Sequence, residues 1–224
     1  MENKEDLKRS GINLLIGLCA FAFYAVIEGL YIYPNRRHLQ LDQGLFIFAA
    51  TLTVLMGMYA VYSWQLTKRN NWNFNINLVS VDKNEWKKWL FTLGMFGVMF
   101  LIQFLSVLVV KGNSTNQQEW IYLSKQVNTN LLKIFLVVVA PMFEELIFRG
   151  LFFNTFFFKK TKLNLIVGIV VNGAIFALMH GLPTSWFYLV YWALGSILAA
   201  NYLYTKDIRC NIVLHMLNNA LVML

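Results

Sequence analysis

Charge is scarce in this 224-residue chain. Asp, Glu, Lys and Arg make up 13% of its residues, about half the share found in an ordinary soluble domain, while hydrophobic residues make up 58%. A soluble fold of this length exposes a large surface to water, and so few charged side chains would cover it thinly. The composition argues against a soluble enzyme and a disordered chain, and it indicates a polytopic α-helical membrane protein.

Cysteine and linker sequences are scarce as well. The two cysteines, Cys19 and Cys210, form no CxxC motif and lie in or beside apolar segments, so they indicate neither a disulfide framework nor a thiolate metal site. No internal repeat and no Gly/Ser-rich linker divides the chain. We therefore expect a single membrane domain over residues 1–224.

What the chain has in abundance is long apolar segments. Seven of them follow one another, at residues 12–31, 44–64, 90–110, 131–153, 163–180, 185–204 and 208–224. A helix needs about 20 apolar residues to cross a bilayer, and these segments lack the two-residue alternation of a β-barrel. The predicted fold is all-α, a polytopic transmembrane helical bundle of about seven spans, or eight if one segment holds two helices.

The basic residues lie mainly between these segments, where they report on membrane topology. The net charge is +8, from 19 Lys and Arg against 11 Asp and Glu. With seven spans and a cytoplasmic N-terminus, the outer side holds five basic residues: Arg36, Arg37, Lys111, Lys125 and Lys133. The inner side then holds thirteen: Lys4, Lys8, Arg9, Lys68, Arg69, Lys83, Lys87, Lys88, Lys159, Lys160, Lys162, Lys206 and Arg209. This asymmetry favours a cytoplasmic N-terminus and makes topology, not nucleic-acid binding, the reason for the charge.

The fourth apolar segment contains three ionisable residues, Glu144, Glu145 and Arg149. A charge at the centre of a transmembrane helix costs about 2.5–3.5 kcal/mol on insertion scales, so such groups need partners or a wet cavity. Glu145 and Arg149 are four residues apart and can pair on one helix face, whereas Glu144 points about 100° away from Glu145. Glu144 is therefore the candidate for proton transfer. The pair either supports the site or simply holds helices together.

Histidines occur in two later segments. His180 closes the fifth segment, and in the seventh His215 precedes Asn219 by four residues, so these two share a helix face. Such a His and Asn can donate hydrogen bonds to an oxyanion. The combination fits activation of a water, and it also fits a zinc site with Glu144, His180 and His215 as ligands. The sequence contains no HExxH motif, so it lacks the zincin arrangement.

Together these motifs resemble the CAAX protease and bacteriocin-processing family, which includes the Ras-converting CAAX endopeptidases. The resemblance covers residues 130–224, the expected catalytic core. The matching residues are Glu144, Glu145, Arg149 and Gly150 in EExxxRG, Phe176 and His180 in FxxxH, and His215 and Asn219 in HxxxN.

The resemblance implies an intramembrane endopeptidase. In it, Glu144 and His180 would activate a water, and His215 with Asn219 would stabilise the oxyanion. The catalytic residues implied in this way are Glu144, Glu145, His180, His215 and Asn219, with Arg149 and Phe176 in support. The resemblance requires no cofactor, and zinc stays an open alternative.

The expected partners are the lipid bilayer and a peptide or protein substrate at the membrane. The substrate would be a CAAX-like tail, a bacteriocin or pheromone precursor, or a leader peptide, and the location a bacterial cell membrane that the chain crosses several times. The alternative is a non-enzymatic protein, either a bacteriocin self-immunity protein or a membrane scaffold. A small transporter is a third interpretation, but transporters tend to show repeated halves, and none is present here.

Overall fold

A computed structural model describes residues 2–32, 40–78, 85–109, 112 and 114–223. Most of the described residues are helical, with no strand among them, and the predicted all-α, polytopic helical fold is confirmed. The α-helices are α1 (Glu2–Ile32), α2 (Leu41–Lys68), α3 (Glu85–Val109), α4 (Thr115–Ser124), α5 (Thr129–Ile134), α6 (Ala140–Glu145), α7 (Phe152–Phe156), α8 (Lys162–His180), α9 (Trp186–Thr205) and α10 (Ile208–Met223). Two π-helical turns, π1 (Phe135–Val139) and π2 (Leu146–Leu151), flank α6.

Five of the helices are long and apolar enough to cross a membrane. These spans are Lys4–Ile32, Leu41–Lys68, Glu85–Val109, Lys162–His180 and Trp186–Thr205, and each contains or overlaps one of the predicted segments. The fourth predicted segment contains π1 and π2 and its three ionisable residues. The seventh forms α10, whose 16 residues fall short of the roughly 20 that a span needs. The exact number of spans stays a prediction.

The chain divides into two compact units. Unit 1 consists of residues 1–70 and 122–158, and unit 2 consists of residues 71–121 and 159–224. The carboxylates of the predicted site belong to unit 1, and its histidines belong to unit 2. The single membrane domain expected from the sequence stays a prediction.

The centre of unit 1 is the helical path at residues 129–156, which is formed by α5, π1, α6, π2 and α7. Asn128 begins it, because its side-chain oxygen accepts hydrogen bonds from the N–H groups of Asn130 and Leu131 at 3.1 Å. Pro141 has no N–H to donate four residues back, and its ring would crowd the carbonyl of Val137 in a regular helix. The wide turn π1 comes directly before it. Such π turns are frequent at functional sites.

This path is buried, whereas the long helices around it are not. Residues 143 and 145–151 are all buried, including Phe143 at 0% exposure. By contrast, Leu15 of α1 and Phe48 of α2 are 64% and 65% exposed. Exposed apolar side chains are expected on helices that face lipid, because the lipid tails are as apolar as the side chains. The path thus forms the interior of unit 1, with α1 and α2 packed against it.

In unit 2, two glycines allow α8 and α9 to approach closely. A Cβ atom added at Gly195 would lie 2.9 Å from the Cβ of Phe176, and one added at Gly173 would lie 2.8 Å from the backbone oxygen of Trp192. No real Cβ tolerates such distances, so larger residues would force the helices apart. Small residues serve this purpose widely in membrane helices. The close approach determines where the end of α8, with His180, lies against α9.

Buried amides connect α10 to α3 and α9. The Thr92 hydroxyl donates to the side-chain oxygen of Asn201 at 3.2 Å, and the Asn201 amide donates to Asn211 Oδ1 at 2.8 Å. Asn211 in turn donates to the Leu198 carbonyl at 2.7 Å. Asn201 and Asn211 are fully buried. Because each amide is hydrogen-bonded on both sides, the chain of bonds favours one arrangement of the three helices.

A charged cluster begins α10. Arg209 donates to Asp207 at 2.6–2.9 Å and to Glu85 at 2.7 Å. Burial alone would raise the pKa of Asp207, but hydrogen bonds from Arg209 and from Asn75 hold the pKa below its usual value. The cluster joins α10 to the start of α3, and it therefore helps to position the helix that contains His215.

Candidate active site

Glu145 and Arg149 form a buried ion pair in unit 1. Arg149 Nη1 lies 2.9 Å from Glu145 Oε1, and both side chains are 0% exposed. The pairing predicted from the i,i+4 spacing is confirmed. In a buried apolar environment each charge compensates the other, and loss of one partner leaves a charge without compensation.

Glu144 has different surroundings. It is half-buried, and its Oε1 accepts a hydrogen bond from the Tyr24 hydroxyl at 3.0 Å. Tyr24 is 8% exposed, and its ring stacks on Phe143 with 5.4 Å between ring centroids. A second stacked contact, with Phe135, has its centroids 6.3 Å apart. The phenol is thus held on both sides, and it orients the Glu144 carboxylate from a helix that is 120 residues away in sequence.

Helix α1 contains a further carboxylate, Glu28, one turn beyond Tyr24. Residues four apart lie on the same face of a helix, so Glu28 and Tyr24 share a face of α1. Glu28 is half-buried and falls within the first candidate span. The sequence analysis singled out neither residue, although a carboxylate inside an apolar segment, such as Glu28, indicates a functional site.

In unit 2, His180 is the last residue of α8. Its Nδ1 lies 2.8 Å from the carbonyl oxygen of Phe176, one turn earlier. A carbonyl only accepts hydrogen bonds, so this contact selects the tautomer with hydrogen on Nδ1. The other ring nitrogen, Nε2, then carries the lone pair. His180 can therefore accept a proton or a hydrogen bond at Nε2.

Aromatic rings surround His180. The ring of Phe176 lies 4.3 Å from it between centroids, and the ring of Tyr191 stacks at 4.8 Å. Phe176 also contacts His215 edge-on at 5.6 Å, so one phenyl ring touches both histidines. The Tyr191 hydroxyl is held in turn by Ser114 at 3.1 Å. The structure thus brings the two predicted histidines and Phe176 together.

Asn219 is oriented by its neighbour. Gln103 of α3 donates to Asn218 Oδ1 at 2.6 Å, and the Asn218 amide lies 3.4 Å from Asn219 Oδ1 as a donor. Since Asn219 Oδ1 accepts there, the NH₂ group of the same amide is directed away from Asn218. His215 is 2% exposed and lies one turn earlier on α10. Both residues therefore lie one turn apart on α10 and have donor groups to offer.

Sequence reasoning missed the partners of these residues. Tyr24, Tyr191 and Gln103 each lie on an element other than the one carrying the residue they contact, and no local spacing connects them to it. Asn218, which points about 100° away from Asn219 around the helix, relays the Gln103 contact to Asn219. Among the described residues, no group of three His, Cys, Asp or Glu side chains is close enough to hold one metal ion. We therefore derive no step through a metal.

The C-terminal part of the chain is similar to known proteins. Residues 126–221 match the family model for type II CAAX prenyl endopeptidases, described as Rce1-like. This part of the chain is therefore similar to the CAAX prenyl endopeptidases. The chain is also 26% identical over 223 residues to the membrane-embedded CAAX protease MroQ of Staphylococcus aureus, an alignment that covers 94% of this chain and 81% of that protein. No solved structure matches.

The family match includes all three predicted motifs. Residues 126–221 contain the EExxxRG, FxxxH and HxxxN sequences on which the resemblance rests. The match to MroQ extends the similarity through the N-terminal helices, for which the sequence motifs made no claim. The two matches and the apolar helices together support an intramembrane protease with several membrane-crossing helices.

Proposed function

We propose that this protein hydrolyses a peptide bond of a membrane-associated peptide or protein, using a water activated by Glu144 and His180. His215 and Asn219 form the oxyanion site. The observation that carries the proposal is the unlike surroundings of the two adjacent glutamates. Glu145 is fully buried against Arg149, whereas Glu144 is half-buried and oriented by a phenol.

A general base needs access to water and a carboxylate held in one orientation. Glu144 meets the second requirement, since one oxygen is held by Tyr24 at 3.0 Å, and its side chain is only half-buried although the Oε2 atom itself is buried. Glu145 has no access to water, because it is 0% exposed, and its charge is compensated by Arg149. Glu145 and Arg149 therefore support the helix that carries Glu144.

The reaction is an addition followed by an elimination. The water oxygen bonds to the carbonyl carbon of the substrate, the Glu144 carboxylate takes the water proton, and His180 accepts a hydrogen bond at Nε2. The carbonyl oxygen becomes an oxyanion, to which His215 and Asn219 donate hydrogen bonds. The C–N bond then breaks, and the proton held by Glu144 passes to the leaving amine.

The substrate class is a peptide that reaches the membrane. The name of the MroQ relative makes a CAAX-like tail the first substrate to test, and a bacteriocin or pheromone precursor or a leader peptide are the others. Because many apolar side chains of the long helices are exposed, a substrate with a lipid group or an apolar segment would be concentrated near the protein.

The proposal is tested by mapping newly formed peptide N-termini in bacterial membranes that contain either the wild-type protein or Glu144→Gln, at equal expression. We expect cleavage products that depend on the wild-type protein and are lost in Glu144→Gln. The matched control is Glu119→Gln, which makes the same change at an exposed carboxylate on α4. Products that persist unchanged in Glu144→Gln contradict the proposal. So does immunity to a bacteriocin that survives this change, which would favour the non-enzymatic alternative.

A second experiment uses a chelator to test the zinc alternative. The purified protein is incubated with a quenched fluorescent peptide that ends in a farnesylated CAAX sequence, with and without a chelator. Cleavage that survives chelation supports water activation by Glu144 and His180. Cleavage that stops and returns with added zinc supports the alternative in which Glu144, His180 and His215 are ligands.

A further inference from the structure

Unit 1 contains a pocket that the proposed reaction does not use. It lies between the first turns of α1, the end of α2 and Asn154 of α7, and its volume is about 520 Å³. Asn154 follows Glu144 by ten residues, which corresponds to roughly 15 Å along a helix. None of the predicted catalytic residues lines this pocket.

The rim of the pocket is positively charged. Lys8 and Arg9 of α1 and Lys68 of α2 line it, and within the described residues these three form no ion pair. Arg69 also lines the pocket, but it is bound to Asp6 and lies over the ring of Phe158. Glu5 offsets only part of the remaining charge. The rim therefore favours an anion.

The floor of the pocket is polar and incompletely hydrogen-bonded. Gln65 and Asn154 line it and are 4% and 7% exposed. Gln65 donates to Asn13 at 3.1 Å, but Gln65 Oε1 and Asn154 Nδ2 have no hydrogen-bond partner within the described residues. A buried polar group without a hydrogen-bond partner lowers the stability of the protein by about 1–3 kcal/mol. An amide donor and an amide acceptor beneath a basic rim match a phosphate group that carries hydroxyl groups.

The pocket lies where two candidate spans end. Beside it, Ile12, Leu15 and Trp64 are 45%, 64% and 49% exposed on the same two helices. Exposed apolar side chains next to the charged rim suit acyl chains, and tryptophan favours the headgroup level of a bilayer. A phosphate bound here would thus have lipid chains running along α1 and α2.

We propose that this pocket binds the phosphate headgroup of an anionic phospholipid, such as phosphatidylglycerol. Lys8, Arg9 and Lys68 contact the phosphate together with the Asn154 amide, and Gln65 Oε1 accepts a hydrogen bond from a headgroup hydroxyl. The site anchors the start of α1, the helix that also carries Tyr24. The proposal does not depend on the proteolytic function.

The test is a titration of the purified full-length protein in detergent with phosphatidylglycerol, followed by native mass spectrometry. Lys8→Gln/Arg9→Gln should weaken binding about 30-fold, since each basic residue near a phosphate surface contributes about a factor of five. The matched control is Lys159→Gln/Lys160→Gln, which removes two exposed charges that do not line the pocket. An equal loss of phosphatidylglycerol binding in both variants would overturn the proposal and would show that the lipid responds to diffuse surface charge.

A second variant leaves the charge unchanged. Asn154→Leu should weaken phosphatidylglycerol binding about tenfold, because it removes one hydrogen bond to a charged group, and it should leave phosphatidylcholine binding unchanged. Unchanged phosphatidylglycerol binding would overturn the proposal. Soluble glycerol phosphate provides the last arm. If it displaces the lipid at equal concentration, the ligand is a free phosphate and the assignment to a lipid is wrong; if it does not, the lipid assignment is supported.

Discussion

Units 1 and 2 hold their candidate functional side chains in different ways. In unit 1 the carboxylates are held by strong directional contacts, an ion pair at 2.9 Å and a phenol hydrogen bond at 3.0 Å. In unit 2 the histidines are held by three ring contacts and one backbone carbonyl. Losing one partner of a buried ion pair is costly, whereas aromatic contacts contribute about 0.5–1.5 kcal/mol each. Substitutions in unit 1 should therefore separate into structural and catalytic effects, and substitutions at the histidines should mainly affect the reaction.

Among substitutions at the histidines, His180→Gln should have the largest effect on the cleavage rate. The amide oxygen is far less basic than an imidazole nitrogen and polarises the attacking water less, so we expect cleavage to fall about 100- to 10,000-fold while folding is kept. The measurement is the cleavage rate of the quenched peptide at equal amounts of folded protein, judged by gel filtration. Tyr191→Phe, which keeps the stacked ring, serves as the control and should retain most activity. Near-wild-type cleavage by His180→Gln would remove this residue from the mechanism.

On the carboxylate side, the largest effect on stability is expected at the buried ion pair. Glu145→Leu alone should destabilise the protein by about 3–5 kcal/mol, because Arg149 is left buried without a counter-charge. The double variant Glu145→Leu/Arg149→Leu should recover most of that loss, since two apolar residues replace two charges. Thermal unfolding in detergent distinguishes the three proteins. A double variant as unstable as the single one would show that the pair does more than compensate its own charges.

The parts of this site that the sequence predicted are those with a local pattern. Apolar length predicted the five long helices, and the spacing of Glu145 and Arg149 predicted their ion pair. The contacts of Tyr24 with Glu144 and of Gln103 with Asn218 span 120 and 115 residues, and no periodicity encodes which helices become neighbours. The π turns around α6 were not predicted either, because no pattern in the sequence distinguishes such a turn from a regular α-helix.

A smaller effect is expected for Tyr24→Phe. The ring and its stacking on Phe143 are kept, and only the hydrogen bond to Glu144 is lost, so we expect kcat to fall about 10- to 100-fold with KM unchanged. Tyr31→Phe is the matched control on the same helix, since it loses a hydroxyl contact with Thr51 instead. If both variants lower kcat and KM by the same factors, Tyr24 stabilises α1 and does not position Glu144.

The smallest expected effect concerns the packing of α8 on α9. Gly195→Ala introduces a methyl group 2.9 Å from the Cβ of Phe176, and it should destabilise the protein by about 1–3 kcal/mol. The shift of Phe176 should also disturb His180 and His215, which both contact its ring. Gly97→Ala is the control, because a Cβ there meets nothing within 4 Å. Equal thermal stability of the two variants would show that the close approach of the helices is not needed.

The central claim is that two adjacent glutamates have different tasks. It is tested most directly by comparing Glu144→Gln with Glu145→Leu/Arg149→Leu in the same peptide-cleavage assay, with folding verified for both. The account predicts that Glu144→Gln is folded and loses cleavage at least about 100-fold, while the double variant is folded and keeps most of it. The opposite result, in which Glu144→Gln cleaves normally and the folded double variant does not, would contradict the account.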